Sequence, residues 1–158
     1  MLSWRHKPIV LRDLRTGDAP RLAKLHASAF HRGWGEDEFE QLIASASSLG
    51  EGAAFSERGS LLGFILSRIA ANEAEILSIV VDPTSRRRGI ARALLSNHLD
   101  RLRGRAAREL FLEVDEENTG ALAFYENFDL KPVGRRQAYY PRVSGGRGTA
   151  LILRRALD

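Results

Sequence analysis

The sequence predicts a single α/β domain, and three observations carry that reading. Residues 75–92 read as a short buried strand, a basic glycine-bearing loop and the start of a helix. Strand-like runs and helix-like stripes succeed one another in the order β-α-α-β-β-β-α-β-α-β-β, the mixture of an α/β architecture. No internal repeat, low-complexity tract or linker divides the 158 residues, a length that buries roughly two thirds of its unfolded surface.

Each element has a local reason. Residues 8–14 form a short first strand. Asp18 is placed to N-cap a helix with Pro20 in its first turn and an apolar face of Leu22, Leu25, Ala29 and Phe30. After the loop His31-Arg32-Gly33-Trp34-Gly35, a second helix opens on Glu36-Asp37-Glu38, the sign the helix dipole prefers, and buries Phe39, Leu42, Ile43 and Ala46. With Gly35 as N-cap, Trp34 and Phe39 stand where a hydrophobic staple joins them, and a substrate contact is the other reading of Trp34. Strands over residues 52–56 and 61–70 flank a turn at Gly59-Ser60. Further strands cover 108–114, 130–140 and 150–154, with a helix capped by Asn118 between the first two.

The central stretch holds the first sign of chemistry. Ile76-Leu77-Ser78-Ile79-Val80-Val81 is too short and too β-branched for a helix, and Asp82-Pro83 ends it. Ile90, Ala91, Leu94, Leu95, His98 and Leu102 then recur on one helical face. Between them lies Arg86-Arg87-Arg88-Gly89. Orphan N–H groups of a helix's first turn bind phosphate, and Gly89 and Ala91 leave that turn bare. Three arginines there oppose the dipole unless an anion lies between them. A solvated basic loop capping a helix is the plain alternative.

Two further residues stand out. Glu113 ends the apolar strand Leu110-Phe111-Leu112-Glu113-Val114 and shares a face with Phe111, opposite Leu110, Leu112 and Val114. A carboxylate beyond a strand's carboxyl end can accept a proton from an attacking amine, or simply reach water. Tyr125 lies on the stripe Ala121, Phe124, Tyr125, Phe128, where it serves as core or as proton donor to a leaving thiolate.

Composition removes several classes. There is no cysteine, hence no disulfide, Cys-ligated zinc or Cys nucleophile. His6, His26, His31 and His98 are scattered without ligand spacing, so no metal site is expected. The net charge of +4 is mild and no basic repeat is interleaved with aromatics, which speaks against direct nucleic-acid binding. No G-x-S-x-G elbow suggests a hydrolase. The start MLSWRHKPIV lacks the apolar core of a signal peptide, and no run approaches a membrane span, so a cytoplasmic protein is expected.

Arg86-Arg87-Arg88-Gly89-Ile90-Ala91 resembles the acetyl-CoA-binding motif of the GNAT N-acetyltransferase superfamily, and the element order matches that fold over nearly the whole chain. The resemblance implies one domain over residues 1–158. It implies a mixed, mostly antiparallel sheet of about seven strands, helices on both faces, and a splayed parallel strand pair holding acetyl-CoA. A bulge in the strand of Ile79, Val80 and Val81 would point backbone at the thioester. Residues 86–92, Arg86, Arg87, Arg88, Gly89, Ile90, Ala91 and Arg92, would straddle the pyrophosphate.

Leu112-Glu113-Val114, Asn118, Phe124-Tyr125-Glu126 and Arg136-Gln137-Ala138-Tyr139-Tyr140-Pro141 look like the ribosomal-protein alanine N-acetyltransferase branch. That likeness implies Glu113 as general base and Tyr125 as general acid, with Asn118 and Tyr125 against the cofactor. Trp34, Arg136, Tyr139 and Tyr140 would border the acceptor peptide. The implied reaction is transfer of acetyl from acetyl-CoA to the N-terminal alanine of a ribosomal protein, by a monomer or weak dimer. A small amine or a lysine side chain is the alternative acceptor, and a cofactor-binding module without turnover is the alternative class. The chain departs from the branch in Asp129-Leu130, where Gly-Phe is usual, and in the acidic Asp115-Glu116-Glu117. Gly145-Gly146-Arg147-Gly148 reads as a hairpin tip.

Overall fold

In the computed structural model, which describes residues 7–30, 32–141 and 147–158, the strands are β1 (Val10–Asp13), β2 (Ser48–Ala54), β3 (Gly63–Ala70), β4 (Glu73–Val81), β5 (Glu109–Asp115), β6 (Lys131–Pro141) and β7 (Arg147–Ala156). The helices are α1 (Ala19–Ala27), α2 (Glu36–Ala44), α3 (Ile90–Gly104) and α4 (Thr119–Glu126). The strands make one sheet in the order β1-β2-β3-β4-β5-β7-β6, antiparallel throughout except for β4 beside β5. Element order and mixed sheet are those the sequence implies. Helices cover both faces. Phe64 and Leu66 of β3 pack in the core beneath α1 and α2, while Ile65 between them packs under α3.

Three details of the sheet place the site. First, β4 and β5 pair only over Glu73↔Glu109, Ala74↔Leu110 and Glu75↔Phe111, then part company. This is the expected splayed pair. Second, β4 carries a bulge. Leu66 of β3 registers with Ser78 and Ser67 with Ile76, which leaves Leu77 as the extra residue. The bulge reverses the face of every later side chain, because the side-chain period is two. Ala74 and Ile76 therefore pack under α3, but Val80 packs under α1 and α2, and Ile79 and Val81 return to the α3 side. Third, His98 of α3 is fully buried between Ser67 Oγ, 2.6 Å from its Nε2, and Glu51 Oε2, 2.5 Å from its Nδ1. That polar bridge ties α3 to β2 and to the strand position opposite the bulge.

Some local expectations are corrected. β2 begins at Ser48, four residues before the expected start. Gly50, Glu51 and Gly52 are poor strand formers, yet packing requires the glycines: a Cβ on Gly52 would fall 2.5 Å from Leu61 Cδ2. Asp18 does not cap α1 through its side chain. Its carboxylate instead takes Arg12 in a two-bond pair and accepts the Arg15 backbone N–H. α1 stops at Ala27 and α2 at Ala44, so Ala29, Phe30 and Ala46 are exposed rather than on buried stripes. Tertiary contacts outweigh propensity at these ends. The hydrophobic staple is present, with Trp34 and Phe39 ring centroids 5.6 Å apart and Gly35 as N-cap.

Candidate active site

The loop from β4 to α3 is built from side-chain caps and two left-handed residues. Asp82 accepts the Thr84 backbone N–H at 3.0 Å and pairs with Arg21 of α1 at 2.8 Å, and the Thr84 bond leads in holding its carboxyl below the usual range. Arg87 has φ 65° and Gly89, the N-cap of α3, has φ 74°. A Cβ on Gly89 would meet nothing within 4 Å, so the first turn of α3 stands open. Gly89 is needed here for its backbone and for that bareness.

This open turn borders a cavity of about 390 Å³ on the α3–α4 face of the sheet. Its walls are Ile79 and Val81 of β4, Ser85, Arg86, Arg87, Gly89, Ile90, Ala91 and Arg92 of the loop and α3, and Ala121, Phe124 and Tyr125 of α4. The lining suits a long ligand with an apolar arm and a phosphate end. Helix N–H groups and arginines lie at one end, and aliphatic and aromatic walls at the other.

Three of the residues implied for this site, Val80, Arg88 and Asn118, are not on the cavity wall. The Val80 side chain is buried under α1 and α2, so only its main chain is left for the cavity side. The Arg88 guanidinium lies over the Phe55 ring, 5.6 Å from its centroid, rather than on the cavity wall. Asn118 caps α4, its Oδ1 accepting the Ala121 backbone N–H at 3.1 Å. Tyr125 is 8 % exposed, and burial raises its phenol to about 12. It stays protonated at neutral pH.

A second cavity, about 330 Å³, lies on the opposite face and is lined by Arg68, Glu73, Glu75, Phe111, Glu113, Arg136 and Ile152, among others. Glu113 points there because its neighbours Leu112 and Val114 fill the α3–α4 core. Glu113 Oε1 is 3.2 Å from Nη1 of Arg136, and Glu75 pairs with Arg68 at 3.4 Å. Glu113 and Tyr125 thus belong to different cavities on the two faces of the sheet. The pairing of β4 with β5 stops at Glu75 and Phe111, and Glu113 of one cavity and Ile79 of the other both lie beyond that point.

Trp34 stacks on His26, 4.6 Å between ring centroids, and its backbone N–H donates to His26 Nδ1 at 3.0 Å. Tyr139 and Tyr140 fall on β6, and their side chains lie outside the described residues, as do His31 and residues 145 and 146 of the expected hairpin tip, while Arg147 and Gly148 open β7. Sequence reasoning missed Glu73, Glu75, Arg68 and Ile152 as wall residues. Glu73 and Glu75 alternate with buried Ala74 and Ile76, and that period-two pattern was the available signal. Among the described residues no group of three His, Cys, Asp or Glu is set to hold a metal ion, and no helix is long and apolar enough to cross a membrane.

Residues 19–129 match the family model described as "Acetyltransferase (GNAT) family". The chain is 32% identical over 144 residues to the [ribosomal protein bS18]-alanine N-acetyltransferase of Escherichia coli K12, covering 89% of this chain and 93% of that one. It is 37% identical over 145 residues to the N-alpha-acetyltransferase RimI of Mycobacterium tuberculosis, covering 88% of each. Its structure superposes on the crystal structure of the ribosomal-protein-S18-alanine N-acetyltransferase from Escherichia coli with a TM-score of 0.86, at 28% identity, over 96% of this chain and 95% of that one.

Proposed function

The chain belongs to the acetyltransferase (GNAT) family and is an acetyl-CoA-dependent N-acetyltransferase, and from that premise we propose that its acceptor is the N-terminal α-amino group of a protein, the N-terminal alanine of a ribosomal protein in particular. The observation that carries the reading is that Glu113 and Tyr125 line cavities on opposite faces of the sheet, where β4 and β5 have stopped pairing. Acetyl-CoA enters from the α3–α4 face, with its pyrophosphate on the open first turn of α3 beside Arg86, Arg87 and Arg92. Ile79 and Val81 line its arm, with the main chain of Val80 between them, and Asn118 and Tyr125 flank it from α4. Arg88 steadies the loop through Phe55 and adds charge at longer range.

The acceptor approaches from the other face along the cavity that ends at Glu113. An α-amino group must lose a proton before it attacks, and Glu113 takes that proton directly or through water. The amine nitrogen bonds to the acetyl carbon, and the developing oxyanion is held by main-chain N–H of β4, where the bulge turns amides out of the ladder. The carbon–sulfur bond breaks, Tyr125 donates to the thiolate, and the second amine proton leaves to solvent, after which Glu113 gives up its proton to solvent and Tyr125 takes one back. The products are an amide and the CoA thiol. Because its cavity runs out to the exposed Glu73 and the half-buried Glu75, the acceptor side suits an extended chain. Trp34, Arg136, Tyr139 and Tyr140 border that chain in this reading. The domain, residues 1–158, acts as a monomer or weak dimer in the cytoplasm, without binding nucleic acid or membrane.

Thiol release measured with three acceptors tests the proposal: a peptide beginning with alanine, the same peptide N-terminally blocked but carrying lysine, and a polyamine. Turnover of the first is expected to exceed that of the others at least tenfold. Preference for the polyamine or the lysine would overturn the proposed acceptor.

A further inference from the structure

Glu51, His98 and Ser67 form a polar chain buried between the sheet and α3. Glu51 Oε1 takes Arg101 at 3.3 Å and the Asn97 side-chain amide at 3.4 Å, so its carboxylate acts as an acceptor. His98 therefore donates from Nδ1 to Glu51 Oε2 at 2.5 Å, which leaves Nε2 for the Ser67 hydroxyl at 2.6 Å. Carboxylate, imidazole and hydroxyl stand in the order of a nucleophilic triad, but Ser67 is fully buried and lines neither cavity. No acyl group reaches it. The chain is a connection rather than a second active site.

Its two ends fall at the two ends of the proposed cofactor grip. His98 belongs to the helix whose first turn cradles the pyrophosphate, about 12 Å along the axis from Ile90. Ser67 stands at the break in register between β3 and β4, opposite Ile76, while its neighbour Leu66 is opposite Ser78. The other buried residues of α3 are Ile90, Leu94, Leu95, Leu99 and Leu102, whose apolar contacts hold the helix to the sheet without direction. A hydrogen bond has direction, and among the described residues His98 is the one α3 side chain bonded to β3. Buried polar groups cost desolvation, and setting register is their best-attested return. We infer that His98 is a positioning residue for acetyl transfer: through Ser67 it fixes where the bulged main chain of β4 stands relative to the first turn of α3. Pyrophosphate and thioester oxygen of one cofactor molecule are then held at a set separation. The inference rests on the main-chain oxyanion contact proposed above and not on which amine is the acceptor. A change in that separation leaves the phosphate grip intact and misplaces the acetyl group, so the loss falls on turnover.

Ser67→Ala removes the hydroxyl and little else. The test measures kcat with the acceptor that the unaltered enzyme turns over fastest, beside the calorimetric Kd for acetyl-CoA and urea unfolding. Small misplacements of a reacting group cost up to about a hundredfold, so kcat is expected to fall roughly tenfold or more while Kd moves by less than about twofold. Two changes at His98 separate positioning from stability. A glutamine amide lies where Nε2 was and keeps the Ser67 bond, whereas an asparagine amide lies where Nδ1 was and keeps the Glu51 bond. Losing a bond to a charged group costs more stability than losing one to a hydroxyl. His98→Gln is therefore expected to be the less stable of the two and the more active, and His98→Asn the reverse. Rates that follow the urea midpoints, equal losses in kcat and in cofactor affinity, or a wild-type kcat in Ser67→Ala would each make the bridge structural only. Should a His98 variant not fold, Ser67→Ala decides alone by the last two outcomes. An alanine-initiated peptide left untouched by the unaltered enzyme would overturn the acceptor reading and leave this inference to be decided by the same measurements on the amine that is turned over.

Discussion

Gly89 joins two requirements that a pair of substitutions separates. Its φ of 74° and ψ of 17° are left-handed, and a side chain there would project into empty space at the mouth of α3. A non-glycine residue in that backbone region costs about 1–3 kcal/mol, at the upper end when β-branched, whereas asparagine tolerates it. In Gly89→Val both penalties act. In Gly89→Asn the strain is small and the obstruction stays. If the side chain removes one phosphate contact with a backbone N–H, worth about 1.5–3 kcal/mol, the dissociation constant for acetyl-CoA rises roughly tenfold to a hundredfold. Calorimetric titration with acetyl-CoA and urea unfolding on the same samples give the two quantities. Gly89→Val is expected to lose both stability and affinity, and Gly89→Asn mainly affinity. An unchanged affinity in Gly89→Val, with stability lowered, would refute the phosphate cradle and leave Gly89 a purely conformational residue.

His26, 2 % exposed between Phe30, Trp34 and Phe39, is held neutral by desolvation, which lowers its pKa to about 4, with Glu38 opposing weakly. Its folded pKa lies below the unfolded value of about 6.5, so full stability holds above pH 6.5. As pH falls toward 4 the unfolded chain takes the proton first, and up to about 3 kcal/mol is lost. Urea unfolding from pH 7 to 4.5 is expected to show this slope in the wild type and not in His26→Gln. Asp129 has φ 59° where Leu130 N–H donates to Tyr125 O and Asp129 N–H to Glu126 O, a Schellman closure with aspartate in the glycine position. Asp129→Gly is expected to add about 0.5–1 kcal/mol, raising Tm by about 2–4 °C, and no rise in a melt would count against strain there. Glu113→Gln is expected to depress kcat/KM most at low pH, where free amine is scarce, and to recover partly as pH rises. Tyr125→Phe should lose about 10²-fold in kcat at every pH below the phenol's value of about 12, and near wild-type rates in both would make these residues structural.

Much of the plan was legible because its signals are local. The apolar run 76–81, Pro83, Gly89 and the stripe through Leu94, Leu95, His98 and Leu102 each act within a few residues, and strand, loop and helix form where they indicate. Period-two alternation told which side of β5 Glu113 would take, and it takes that side. Asn118 at the start of α4 and the staple of Trp34 with Phe39 were likewise written in short spacings.

What the spacings could not contain depends on partners distant in the chain. The start of β2 at Ser48 follows from Leu14 and Leu61 needing room above Gly50 and Gly52. The bulge at Leu77 is a mismatch between two strands, so neither strand alone records it, yet it decides that Val80 faces away from the cavity while Ile79 and Val81 line it. Arg88 resembles its neighbours in sequence, and only the fold brings Phe55 beneath its guanidinium. His98, one of four scattered histidines, becomes a buried bridge through Glu51, 47 positions away, and Ser67, 31 positions away. The sequence by itself determined the elements, their order and the residue types that chemistry would use. Only the tertiary structure decided that Glu113 and Tyr125 lie on opposite faces of one sheet and that Arg136 reaches across β7 to the carboxylate, because non-local packing and pairing choose among the conformations local preference leaves open.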